Sequence, residues 1–290
     1  MMERETGIPV LGCLPHLPEA ACGSRHLGLY TAAEIQDLTE RMTVLTESLE
    51  HNVDMDRLLE LCEDGAVPVS AARTPETADG VPIAVARDEA FCFMYAETLE
   101  TLEQAGAKLL FFSPLRDRRL PAEACGLYLP GGYPELYAER LSANREMLAS
   151  VRAAVNGKLP TVAECGGFLY LGKTLRDGQG TENSMTGVLP GSGFPAGGLV
   201  RFGYGMMSAG TDSLLFRKGE TVPVHEFHYW DSTENGRDLR LEKPLSGRGW
   251  DCGFVSDSLY AAFPHLYFAG TPQLAERFVT AARRYREREG

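Results

Sequence analysis

Cys165 closes an apolar run, Pro160-Thr-Val-Ala-Glu-Cys165, and is followed by Gly166, Gly167 and then Phe-Leu-Tyr-Leu. A buried strand that ends at a cysteine, turns on two glycines and enters an apolar helix is the layout of a nucleophile elbow. The turn lifts the thiol to the C-terminal edge of a sheet. Bare backbone at Gly166 and Gly167 lets a substrate approach, and the helix start favours a thiolate and offers N–H groups to an oxyanion. Taken alone, Cys-Gly-Gly also suits a core cysteine at a tight turn. A second loop, Leu129-Pro130-Gly131-Gly132-Tyr133, follows another strand of the same alternating unit. Ligands of open α/β sheets bind outside the carboxyl ends of the strands, so both loops face one crevice. There the backbone of Gly131 and Gly132 supplies the remaining oxyanion donors.

Two other strings invite chemistry. His225-Glu-Phe-His228 resembles a metal-binding pair, but its β-branched and aromatic surroundings read as a strand. Residues three apart on a strand point to opposite faces, so no shared metal is expected. Both histidines are kept as secondary site candidates. Gly167-Phe-Leu-Tyr-Leu-Gly172-Lys173-Thr174 fits G-x-x-x-x-G-K-T, yet its centre is an apolar helical run and its first glycine belongs to the cysteine turn.

The elements that position these residues follow from periodicity. Strands are expected at residues 82–86, 108–113, 126–129 and 160–164, with helices at 92–104 and 139–156. That alternation implies an α/β domain with a mostly parallel sheet flanked by helices. After Met185 glycine-rich strands at 187–189, 198–208, 222–229 and 250–255 predict an antiparallel or mixed edge extension, and a helix at 272–286 closes the chain. Residues 8–12 read as a buried strand. Thr31 then starts a helix carrying Ile35, Leu38, Met42, Leu45 and Leu49, and Asp54 caps a second one. One strand and two helices make a poor independent domain, and residues 70–80 have linker composition. The expected division is therefore 1–75 and 80–290.

A net charge of −12 argues against nucleic acid, whose phosphates demand clustered cations. The seven cysteines are scattered, with no Cys-x-x-Cys pair, which fits neither a zinc site nor a disulfide scaffold. No apolar run approaches the roughly 20 residues of a bilayer span. No signal-type stretch follows Met1, and a cytoplasmic location is expected.

Several motifs then come together. Gly126-Leu-Tyr-Leu-Pro-Gly-Gly-Tyr-Pro-Glu135, Ala163-Glu-Cys-Gly-Gly167 and Ala86-Arg-Asp-Glu-Ala-Phe-Cys-Phe93 resemble the class I glutamine amidotransferase domain of the cobyrinic acid a,c-diamide synthase family. Arg25-His26-Leu-Gly-Leu29, His225-Glu-Phe-His-Tyr229 and His265-Leu-Tyr-Phe268 resemble further signatures of that family in the same order. The resemblance implies that Cys165 attacks the carboxamide of L-glutamine and that His265 makes the thiolate and returns the proton to the leaving ammonia. Many class I amidotransferases place a glutamate two residues after this histidine. Here Tyr267 stands there, so another side chain or a carbonyl must fix the imidazole.

The resemblance further implies ATP, Mg²⁺ and a tetrapyrrole or corrinoid polycarboxylate, for which Arg87 is a candidate cation. Residues 1–75 are then the C-terminal remnant of an ATP-binding domain. The rest of that domain is expected in cis or in trans, because no P-loop precedes Ile8. The competing readings are a stand-alone cysteine hydrolase using Cys165 and His265, and a non-catalytic remnant of the same fold.

Overall fold

The computed structural model describes residues 1–23, 30, 32–63 and 80–289. Thr31, the motif at 25–29 and nearly all of the linker-like stretch lie outside them. The chain divides into two units, Met1–Ala72 and Arg73–Gly290.

The first unit holds α1 (Met2–Thr6), α2 (Leu38–Asn52) and α3 (Met55–Glu63). Asp54 caps α3 as expected, its Oδ1 accepting the Arg57 amide at 3.0 Å. Residues 8–12 are not a buried strand. Ile8 and Val10 are exposed, and the segment makes one isolated bridge, Gly12 to Val53. A strand needs a neighbour to take its backbone groups, and this unit supplies none among the described residues. The helix expected from residue 31 begins at Leu38, after a short 3-10 turn at Ala32–Glu34.

The second unit alternates as the sequence predicts: β1 (Val81–Ala86), α4 (Ala96–Gln104), β2 (Ala107–Phe112), β3 (Gly126–Leu129), α5 (Ala138–Ala143), α6 (Arg145–Asn156), β4 (Thr161–Glu164) and α7 (Gly166–Leu171). The helix expected over 139–156 is broken at Asn144. That residue leaves helical geometry, accepts the Met147 amide at 3.4 Å and donates to the carbonyls of Pro114 and Asp117. Asparagine side chains compete with backbone in this way, which ends one helix and starts the next.

The remainder comprises β5 (Thr174–Arg176), β6 (Glu182–Ser184), β7 (Ser192–Pro195), β8 (Arg201–Ala209), β9 (Thr221–His228), β10 (Trp230–Ser232), β11 (Leu239–Glu242), β12 (Gly249–Cys252), β13 (Phe254–Ser256), β14 (Leu259–Ala262), β15 (His265–Leu266) and α8 (Pro272–Glu289). The main sheet runs β13-β14-β4-β3-β1-β2, parallel except for the antiparallel edge strand β13. It is the part of the expected edge extension that joins this sheet. The other late strands form two further sheets, β10-β7-β5-β6 and β12-β11-β8-β9-β15. Residues 187–189 form no strand. The run 250–255 splits into β12 and β13 at Gly253, whose φ of +74° suits glycine.

The core between the main sheet and the five-stranded sheet joins Tyr128, Val162 and Tyr260 to Met207, Val224, Leu266 and Phe268. This packing brings the ends of β4 and β15 together.

Candidate active site

Cys165 sits immediately after β4 and N-terminal to α7 with φ 46° and ψ −100°. Such a backbone is strained for a residue with a Cβ, and non-glycine residues kept there cluster at functional sites. Neighbouring strands hold the turn in place. The Cys165 amide donates to Ala262 O at 2.9 Å and the Gly167 amide to Pro130 O at 3.0 Å. A Cβ on Gly167 would lie 2.2 Å from Leu129 O, so this position must be glycine for the helix to start against β3. All six residues of α7 are buried, including Phe168, Leu169, Tyr170 and Leu171. The first five residues of the P-loop-like string are thus packed helix rather than a loop that could cradle phosphate.

The loop after β3 lies against this turn. An added Cβ at Gly166 would meet Gly132 N at 3.0 Å, and one at Gly131 would meet His265 Cε1 at 2.5 Å. Gly132 has φ +151°, a Cβ there would fall 2.2 Å from Ala90 O, and its N–H has no acceptor among the described residues. A third loop locks the second. The Phe93 amide donates to Gly131 O at 3.1 Å and the Tyr133 amide to Ala90 O at 2.9 Å. Buried Asp88 organises that loop by accepting the amides of Ala90, Phe91 and Leu115 and the Ser113 hydroxyl. The helix expected from residue 92 starts at Ala96, after Phe93 has made its bridge to Gly131.

His265 begins β15 and is 4% exposed, its ring 4.8 Å from that of Phe93. Facing it is Glu164, the last residue of β4, whose Oε2 lies 3.8 Å from Nδ1 of His265. At that separation the contact is electrostatic rather than a formed hydrogen bond. Glu164 is 2% exposed and is held by the Leu266 amide at 2.9 Å on Oε1 and the Tyr128 hydroxyl at 3.0 Å on Oε2. Burial alone disfavours the charged imidazole. The neighbouring Cys165 and Glu164 side chains outweigh it and raise the His265 pKa to about 10. Cys165, His265 and Glu164 therefore form one cluster.

Sequence reasoning missed Glu164. Its one signal is a carboxylate closing an otherwise apolar strand run, directly before the cysteine. A charge in that position demands a partner once buried.

The other candidates separate. His225 pairs with His265 in the β9–β15 register, with ring centroids 6.5 Å apart, and its pKa is lowered by burial and by the charge of His265. It lies at the cluster's edge beside Tyr204, 5.2 Å between rings. His228 faces the opposite way, as the strand period requires. It stacks on Phe263 at 3.9 Å and binds Glu226 Oε1 at 2.9 Å. Arg87 is exposed at the end of β1 over the Phe111 ring at 5.0 Å, and no contact among the described residues joins it to the cluster. Among the described residues no group of three or more His, Cys, Asp or Glu side chains is arranged to hold a metal ion.

Gly131→Ala tests the packing between loop and imidazole. The backbone tolerates alanine, but the new methyl would displace the His265 ring. The expected result is a loss of about 100-fold in any turnover that depends on the Cys165–His265 pair, the scale of a roughly 1 Å misplacement. Thermal midpoint should fall by only a few degrees, and a loss of folding to match the loss of turnover would refute the account.

A cysteine on a strand-to-helix turn, a buried imidazole and two glycine-bearing loops thus meet at the strand ends of an α/β sheet. A family model for the CobB/CobQ-like glutamine amidotransferase domain matches residues 82–273, and the chain belongs to that family. Curated relatives include the cobyrinate a,c-diamide synthase of Caldanaerobacter subterraneus subsp. tengcongensis, 38% identical over 281 residues, or 96% of this chain and 62% of that protein. The cobyrinate a,c-diamide synthase of Salmonella typhimurium is 39% identical over 292 residues, covering 98% and 63%. The chain thus spans under two thirds of the length of these relatives. Among solved structures, PurLQS from Thermotoga maritima is similar over 71% of this chain and 99% of its own, with 14% identity and a TM-score of 0.49. No helix among the described residues is long and apolar enough to cross a membrane.

Proposed function

We propose that this chain hydrolyses L-glutamine and delivers the ammonia for amidation of a corrinoid or related tetrapyrrole side-chain carboxylate. The observation that carries the reading is the convergence of Cys165, on strained backbone, with His265 backed by buried Glu164. Sulfur attacks the carboxamide carbon, and the C–N bond breaks as the imidazolium gives its proton to the departing nitrogen. The resulting thioester is opened by water to glutamate, with the imidazole now taking the water's proton. The N–H groups of Gly132 and Gly166 serve the oxyanion in both steps, and bare backbone at Gly131 leaves room for the imidazole.

The acceptor is read from the relatives' names. Their reaction implies ATP and Mg²⁺ to activate a carboxylate, and the described residues do not fit that role. Residues 167–171 of the G-x-x-x-x-G-K-T string are buried helix and Thr174 starts β5, and among the described residues no group of three or more His, Cys, Asp or Glu side chains is arranged to hold a metal ion. We therefore assign carboxylate activation to an ATP-binding portion, in cis or in trans, and a cytoplasmic setting to the whole. Exposed apolar side chains in the first unit, among them Ile8, Val10, Met42 and Leu59, support its reading as part of that larger portion.

A diazoketone analogue of glutamine tests the nucleophile. Peptide mass mapping is expected to place the label on Cys165 in preference to the other six cysteines. Cys125 and Cys252 are buried, and burial raises both thiols, Cys252 to about 12. Label found chiefly on Cys92 or Cys252 would sink the assignment.

A further inference from the structure

A groove of about 850 Å³ opens on the five-stranded sheet between the start of β8 and the β11–β12 turn. Its lining contains Arg201, Lys243 and Arg248 with the aromatic rings of Phe202, Tyr204 and Trp250, and no aspartate or glutamate. That composition is unexpected on a chain carrying 40 acidic and 28 basic residues. Phe202 and Tyr204 are 64% and 79% exposed, far above what isolated rings on a strand need.

The cations are placed by the fold. Lys243 Nζ donates to the carbonyls of Phe202 and Tyr204, each at 2.8 Å, and lies 5.9 Å from the Trp250 ring. Arg201 stacks over the same indole at 4.5 Å, with its charge balanced from behind by Glu226, whose Oε1 is 3.6 Å from Nε. No ion pair among the described residues engages Lys243 or Arg248. Arg201 Nε and Trp250 Nε1 are buried and have no hydrogen-bond acceptor among those residues. The groove also adjoins the cluster around Cys165, since its Tyr204 touches His225 and His225 faces His265.

Exposed rings bind a flat apolar face, and unpaired cations around them bind peripheral carboxylates. We propose that this groove receives one edge of the corrinoid polycarboxylate, an inference that rests on the acceptor class named under the proposed function. The ring's carboxylates pair with Lys243 and Arg248, and its face lies on Phe202 and Tyr204.

The test titrates the full chain with cobyrinic acid, following its visible absorbance at low ionic strength, and repeats the titration with the fully methyl-esterified compound. Binding is expected for the acid, weakening as salt is added, and not for the ester. Arg248→Glu should weaken it by about tenfold or more, and Phe202→Ser by several-fold. Both variants should retain diazoketone labelling of Cys165, which shows that they are folded. Equal affinity in wild type and both variants, equal binding of acid and ester, or no binding by wild type at millimolar acid would each overturn the proposal. If the acid fails to bind while Cys165 still labels, the groove assignment falls and the glutaminase reading stands. Charge-sensitive binding with no labelling at Cys165 would instead uphold the groove and remove the glutaminase reading. Should Arg248→Glu abolish docking of a relative's ATP-binding portion and leave the acid's affinity unchanged, the groove is a protein contact and the proposal is wrong.

Discussion

Replacing Cys165 with alanine is expected to reduce glutamine hydrolysis by about a million-fold, to assay background, the scale seen when a covalent nucleophile is removed. The effect is large because no other group can take over. His265 and Glu164 carry protons and charge but offer no nucleophile of comparable strength, and the nearby glycines contribute only backbone. Cys165→Ala keeps the Cβ and with it the backbone strain, so no gain in stability is expected from it. The left-handed backbone at residue 165 costs on the order of 1–3 kcal/mol, and Cys165→Gly would relieve it. Glutamate release is the measurement, with thermal unfolding alongside. Residual turnover within 100-fold of wild type would mean that water, activated by His265, attacks directly, and the covalent route would have to be abandoned.

The second large effect is expected at Glu164, the residue that acts through His265 rather than on the substrate. Glu164→Gln keeps the volume and the acceptor for the Leu266 amide, yet removes the charge 3.8 Å from Nδ1. Turnover should fall by about 10²- to 10⁴-fold, the range for losing the carboxylate behind a catalytic histidine. The pH behaviour separates this role from a structural one. In the folded wild type the imidazole titrates at about 10, above its ordinary 6.5. A raised pKa stabilises the fold fully below pH 6.5, and that contribution is lost as pH climbs through about 10. The wild type's stability advantage over Glu164→Gln should therefore be largest near pH 6 and shrink toward pH 10.5. NMR of the His265 ring should show its titration moved down in the variant. An unshifted histidine with lowered turnover would demote Glu164 to packing.

Much of this was legible from residue order, for physical reasons that differ by element. The parallel core was readable because β1, β3 and β4 are buried on both faces and appear as continuous apolar runs between helical periods. Cys165, Gly131 and Gly132 were readable because steep turns at strand ends restrict residue type. His265 was found through the family's His-Leu-aromatic-Phe string, since β15 is two residues long and carries no period. Glu164 escaped because its partners, Tyr128 and Leu266, are 36 and 102 residues away and meet it only through packing. The short strands β5, β6 and β7 escaped for a related reason: three or four residues held by neighbours show no alternation of their own.

Cys165 follows a strand of the six-stranded sheet, whereas His265 lies in the five-stranded one. Their alignment is therefore a property of the seam between two bodies and not of either alone. The Leu266 amide, bonded across that seam to Glu164, fastens it at one point. Heat, denaturant or a void carved beneath Val224 or Tyr260 would slide the sheets slightly before either one melts. Inactivation would then precede unfolding, as a calliper loses its zero while both jaws remain sound.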